Sequence, residues 1–209
     1  MLKSFYKENT LEAGIDEAGR GTLIGRVYAG AVIWSPEIND PKFVLNDSKK
    51  ISKKRRLKFR DYIIENAIDY GIGYADADEV DKINILNATI LAMHRAVQNL
   101  TVKPELLLVD GNRFEPVMYK DMTTISYKCI KSGDATYKSI AAASILAKVF
   151  HDEYIQKLVN ENSELEKYDL LSNMGYGTKK HMTALVEYGP TKYHRFSFGP
   201  CRKNKNKNI

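Results

Sequence analysis

An aspartate followed directly by a glutamate, Asp16 and Glu17, sits within the run Gly14-Ile-Asp-Glu-Ala-Gly-Arg-Gly. Neighbouring carboxylates repel, so a site that keeps both ionised needs a cation beside them. On a strand, consecutive side chains point to opposite faces, and an ion at the strand end could draw such a pair together. The next residues, Gly19, Arg20 and Gly21, join a backbone that a ligand can approach closely to one guanidinium, which suits a phosphate or a sugar. The plain alternative is a polar turn between two strands, and for an isolated motif this short that alternative is the commoner one.

Two further acids change the balance. Residues 105–110, Glu-Leu-Leu-Leu-Val-Asp, read as a buried strand with Asp110 at its carboxyl end. Residues 123–130 alternate as another strand, and Asp134 follows in Lys131-Ser-Gly-Asp. Four carboxylates at strand ends or adjoining loops of one sheet occupy the place where α/β folds bind ligands. With no histidine or cysteine among them, they form a hard oxygen set that favours Mg²⁺ or Mn²⁺ over zinc. Two such ions ~3.5–4 Å apart neutralise the acids, bind a bridging phosphate, activate a water and stabilise a leaving 3′ oxygen.

The elements that must position these acids alternate strand and helix. Residues 11–17 and 26–34 read as neighbouring strands joined by the glycine-rich turn, and 35–41 as a loop. Ser52 is an N-cap for a helix to about Tyr70, ended by Gly71, with a short strand at 72–75. The acids Asp76, Asp78, Glu79 and Asp81 read as helix-start chemistry rather than a calcium loop, ahead of a helix over 84–100. A helix over 137–159 carries Ala141, Ala142, Ala143 and Ala147, small residues that permit close packing. Beyond Asn160 the pattern is irregular, with a helix near 179–188 stopped at Gly189-Pro190 and a basic tail from Arg202 expected to be disordered.

The chain has 209 residues, a formal charge of +6 and a pI near 9.1, a balance that points to an acidic partner, nucleic acid being the commonest. No apolar run approaches the ~20 residues of a spanning helix and no signal-peptide segment opens the chain, so a cytoplasmic address is expected. Cys129 and Cys201 suggest neither a disulfide framework nor a zinc site, and His94, His151, His181 and His194 form no short-spaced ligand pair. Basic residues fill seven of the ten positions from Lys49 to Lys58. A solvated face would account for such a run, but cations at a helix start oppose the macrodipole, whereas contact with backbone phosphates explains them.

These motifs occur in a specific order. Gly14-Ile-Asp-Glu-Ala-Gly-Arg-Gly is followed by Leu45-Asn-Asp-Ser-Lys-Lys-Ile-Ser, Asn84-Ile-Leu-Asn-Ala-Thr and Val109-Asp-Gly-Asn. Then come Ser139-Ile-Ala-Ala-Ala-Ser-Ile-Leu-Ala-Lys-Val, Gly175-Tyr-Gly-Thr-Lys and His194-Arg-Phe-Ser-Phe. Over nearly its whole length the sequence resembles ribonuclease HII, the type 2 ribonuclease H.

The resemblance implies a ribonuclease H-like α/β fold, a mixed five-stranded sheet flanked by helices with a C-terminal helical extension from about residue 155. Residues 1–200 would form a single catalytic domain and 201–209 a basic tail. It implies an endonuclease that hydrolyses the RNA strand of RNA/DNA hybrids and nicks duplex DNA 5′ of embedded ribonucleotides, serving ribonucleotide and primer removal, as a monomer. By position, Asp16, Glu17 and Asp110 would bind metal and Asp134 would be the fourth active-site acid. Gly19, Arg20, Gly21, Lys49 and Tyr176 would contact substrate, Tyr176 by packing on the deoxyribose that follows the ribonucleotide. Asp152 matches a family aspartate and is expected to act as a structural hydrogen-bond acceptor. The family usually has proline at the positions of Thr22 and Arg26, so a less rigid loop is expected after the glycine-arginine-glycine element. Two rivals are a nucleic-acid-binding module with structural acids, which would bind without cutting, and the type 3 enzyme, which carries an extra amino-terminal domain and lacks that element.

Overall fold

The computed structural model describes residues 2–35, 37–38 and 52–204. Its centre is a five-stranded mixed sheet of β1 (Glu12–Ala18), β2 (Val27–Ile33), β3 (Asp69–Ala75), β4 (Leu106–Asp110) and β5 (Ser126–Ile130), in the order β3-β2-β1-β4-β5. β1 pairs antiparallel with β2 and parallel with β4, and β4 pairs parallel with β5. Ile15 stands opposite Val109 in the β1–β4 ladder. One residue further along both strands come Asp16 and Asp110, so the register itself brings two acids from distant parts of the chain side by side.

Strand alternation divides the core between two long helices. Ala13, Ile15, Ala29 and Ala31 face α2 (Ala77–Gln98), with Ala88, Ala92, Met93 and Ala96 in the same cluster. The opposite face meets α3 (Lys138–Glu161), whose Ala141, Ala142, Ala143 and Ile145 pack with Val32, Trp34 and with Phe59 and Ile63 of α1 (Lys53–Asn66). Glycines set how closely α3 approaches. A Cβ on Gly14 would lie 2.2 Å from the backbone nitrogen of Ile140, and one on Gly30 would lie 2.6 Å from the carbonyl oxygen of Ala143. Asp16 shares the face of Gly14, so the close fit places its carboxylate against α3.

Two helix boundaries differ from the sequence reading. α1 stops at Asn66 rather than near Tyr70, because residues 69–75 pair fully with β2 and Ile68 N donates to Ile33 O. That pairing is non-local and outweighs the helical spacing. α2 begins at Ala77 and turns at Asn84, whose φ is 66° and whose Oδ1 accepts from the amides of Leu86 and Asn87, so the expected start at Asn84 is the cap of the second segment. As read from sequence, the acids ahead of it serve the helix start, with Glu79 accepting from Asp76 N at 3.0 Å.

The C-terminal part contains α4 (Leu170–Asn173), α5 (Lys179–Tyr188) and α6 (Gly199–Lys203). It packs against the turn between β1 and β2, where Leu23 and Ile24 share a cluster with Ile155, Tyr168, Leu185 and Cys201. Of the tail expected to be disordered, residues 201–203 are helical with Cys201 fully buried, while 205–209 lie outside the described residues. Among the described residues no helix is long and apolar enough to cross a membrane.

Candidate active site

A cavity of ≈ 160 Å³ opens at the carboxyl ends of β1 and β4, with Asp16, Glu17, Asp110 and Asp134 in its wall. The four acids inferred from sequence are thus brought together. Asp16 Oδ1 accepts from Glu17 N at 2.7 Å, and its side chain also bonds Ser144 of α3. Asp110 Oδ1 accepts from Gly133 N at 2.6 Å, which ties β4 to the short 3-10 turn Gly133–Ala135 that carries Asp134. Glu17 points to the other face of β1 and bonds Arg20 at 3.1 Å.

Burial, then the neighbouring charges of Glu17 and Asp110, hold the Asp16 carboxyl well above the usual aspartate range. Glu17 is also raised by burial, with Arg20 pulling the other way. Acids that resist ionising because of burial and mutual repulsion are the groups a divalent cation relieves. The donors are all oxygen, which fits a hard cation. Among the described residues no three histidine, cysteine or acidic side chains are already closed around one point. One oxygen of the Glu17 carboxylate is turned to Arg20, 3.1 Å away.

The glycine-arginine-glycine turn forms the next part of the wall. Gly19 has φ +86°, and a Cβ there would come within 2.5 Å of the His151 ring. Gly21 is open, with only the Tyr176 ring, 3.7 Å away, near its absent Cβ. Where the family usually has proline, side-chain contacts hold the loop. Thr22 is fully buried, its Oγ1 donates to Gly19 O at 2.9 Å, and the buried Arg195 donates to the carbonyls of Arg20, Thr22 and Gly25. Arg26 pairs with Asp76 at 2.6 Å and stacks 3.9 Å from the Tyr74 ring centroid. Hydrogen bonds and stacking do here what proline would do by restricting φ.

Tyr176 is 38% exposed and faces the same cavity. Its carbonyl bonds His181 Nδ1 at 3.1 Å, and its backbone bridges Thr22. Asp152, on α3, accepts from Lys148 at 2.8 Å, His151 at 3.1 Å and Arg56 at 3.3 Å. Burial would raise its pKa, but the His151 and Lys148 hydrogen bonds prevail and lower it. Lys49 lies outside the described residues. Sequence reasoning missed Ser144, Lys148 and Arg195 as parts of the site, and named Arg56 only within the basic run at 49–58. Ser144, Lys148 and Asp152 recur every four residues on one helix, and that spacing was the available signal.

A mixed sheet whose distant acids converge in a cleft with cations in its wall defines the class: a hydrolase acting on phosphodiesters. A model of the ribonuclease HII family matches residues 13–201, and the chain belongs to that family. The ribonuclease HII of Bacteroides fragilis is 48% identical over 198 residues, covering 95% of this chain and 94% of the relative. That of Cytophaga hutchinsonii is 48% identical over 198 residues, covering 94% and 93%. Among solved structures, the ribonuclease H2 from Pyrococcus horikoshii OT3 superposes with a TM-score of 0.75 at 25% identity, covering 94% of this chain and 98% of that one. The chain is a metal-dependent endoribonuclease of the ribonuclease H type.

Proposed function

We propose that this enzyme hydrolyses the RNA strand of RNA/DNA hybrids and nicks duplex DNA on the 5′ side of an embedded ribonucleotide. The observation that carries the reading is the meeting of Asp16, Glu17, Asp110 and Asp134, from three separate segments, in one cavity flanked by the Gly19–Arg20–Gly21 turn and Tyr176. Water adds to phosphorus, the bond to the 3′ oxygen of the preceding nucleotide breaks, and a 5′-phosphate and a 3′-hydroxyl result. Two divalent ions, Mg²⁺ or Mn²⁺, held by Asp16, Glu17 and Asp110, would supply Lewis acidity at the phosphate and at the attacking water.

The chain's own residues do the rest. The bonds from Glu17 N and Gly133 N each fix one oxygen of Asp16 and Asp110, so their carboxylates enter the reaction already oriented. Asp134, on the turn beside Asp110, would accept a hydrogen bond from the attacking water. The pinned backbone of Gly19, Arg20 and Gly21 offers main-chain groups to the ribose 2′-hydroxyl, the group that distinguishes RNA from DNA. Tyr176 supplies a platform for the next sugar. Residues 1–200 act as one catalytic unit, its C-terminal extension delivering Tyr176 to the cleft. The test is a labelled duplex containing one ribonucleotide, incubated with Mg²⁺, Mn²⁺ or chelator. A metal-dependent nick 5′ of the ribonucleotide is expected, and binding without a nick would assign the chain to the binding class.

A further inference from the structure

One cation in the cavity wall has no part in the account above. Lys148 lies on α3 between Ser144, which bonds Asp16, and Asp152. Its side chain is only 23% exposed, and its ammonium stands 5.2 Å from the centroid of the Tyr176 ring. It shares the cavity wall with the four acids and the tyrosine. Among the described residues its ion pair is with Asp152, and none of the cavity's own acids takes it up. Asp152 binds two cations, Lys148 and Arg56, both in the cavity wall. A half-buried ion pair of this kind is a poor stabiliser compared with apolar packing. Its position makes sense if an anion enters beside it.

We propose that Lys148 is a substrate-positioning residue that binds the phosphodiester on the 3′ side of the ribonucleotide, the linkage between the sugar at the carboxylates and the sugar on Tyr176. The proposal rests on the function assigned above. Asp152 holds the ammonium off the catalytic acids, which would otherwise attract it, and keeps it turned towards Tyr176. A single ribonucleotide offers one register, so a cation fixed to the linkage after it helps set that register. The contact exists both before and during bond breaking, and its loss therefore raises KM and leaves kcat alone.

The test pairs a protein change with a substrate change. Duplexes with one ribonucleotide carry either the natural phosphate or a neutral methylphosphonate at that 3′ linkage, and are cut by wild type, Lys148→Met, Lys148→Gln and Lys148→Arg. Lys148→Gln retains a donor for Asp152, which keeps the comparison available should Lys148→Met fold poorly. On the natural duplex, Met and Gln variants should raise KM about tenfold, the factor expected for one charge-assisted contact. The methylphosphonate should raise the wild-type KM similarly and add nothing in those variants, while Lys148→Arg should recover most of the loss. Equal methylphosphonate penalties in wild type and variants, or a fall in kcat at unchanged KM, would overturn the proposal. A wild type that fails to cut the natural duplex removes the functional reading, and this proposal with it.

Discussion

The two buried histidines behind Tyr176 make the enzyme's stability depend on pH in a direction that can be worked out. His181 Nε2 and His194 Nε2 stand 3.2 Å apart, and both residues are fully or almost fully buried. The network assigns the protons. His181 Nδ1–H donates to Tyr176 O, so His181 Nε2 accepts from His194 Nε2–H, and His194 Nδ1 accepts from Thr191 N. A proton added to either ring sets two donors face to face. Burial, and then His181, push the His194 pKa down to about 3 from the ordinary 6.5. The unfolded chain therefore takes up the proton first as pH falls. The His194 contribution is complete above about pH 6.5 and is lost progressively down to about pH 3, at ~1.4 kcal/mol per pH unit. From pH 7.5 to 5.0 the loss from His194 alone is about 2 kcal/mol, and His181, also lowered by burial, adds to it. Urea unfolding of wild type and His194→Gln across this range isolates the effect, because the carboxylates contribute equally to both. The variant should start about 1–3 kcal/mol lower at pH 7.5 and show a slope shallower by that ~2 kcal/mol. Parallel stability curves would refute the reasoning.

Other outcomes follow from the same geometry. Gly14→Ala should cost at least about 3 kcal/mol or prevent folding, since its Cβ meets backbone of α3 at 2.2 Å, and a melting temperature within a few degrees of wild type would contradict the packing described. Replacing Lys53 and Lys54 together by alanine should flatten the slope of log affinity against log salt by roughly two units at most, and an unchanged slope would mark the pair as solvated only. Tyr176→Ala should impair nicking at a single ribonucleotide more than cleavage of a long hybrid, where many registers exist, with Tyr176→Phe milder, keeping the ring and losing one hydrogen bond of about 1 kcal/mol; equal losses on both substrates would remove its junction-reading role.

Asp16, Glu17 and Asp110 were legible because they sit at the ends of apolar strands, where local pattern and chemistry coincide, and Asp134 because it follows β5 closely, on the turn Gly133–Ala135. The parallel register that sets Asp110 beside Asp16 could be expected from the α/β alternation, and the alanine run of α3 announced close packing. What escaped were features created by contacts across the chain. The end of α1 depends on pairing between β3 and β2, which outweighs a helical pattern running on towards Tyr70. The bracing of the glycine-rich turn comes from Arg195, some 170 residues away and inserted among three carbonyls. No local signal at Thr22 or Arg26 reveals such a brace. Asp152 was legible as an acceptor, but its role in bringing Lys148 and Arg56 to the cavity needs the docking of α1 on α3.

The most direct test of the central claim is single-turnover cleavage of a duplex with one ribonucleotide, in Mg²⁺, by wild type and Asp110→Asn. The wild type should nick 5′ of the ribonucleotide. Asp110→Asn should be slower by roughly a thousandfold or more, about 4 kcal/mol of barrier, and should melt no lower, because it removes a charge that repels Asp16 and Glu17. Near wild-type cleavage by folded Asp110→Asn would contradict the account.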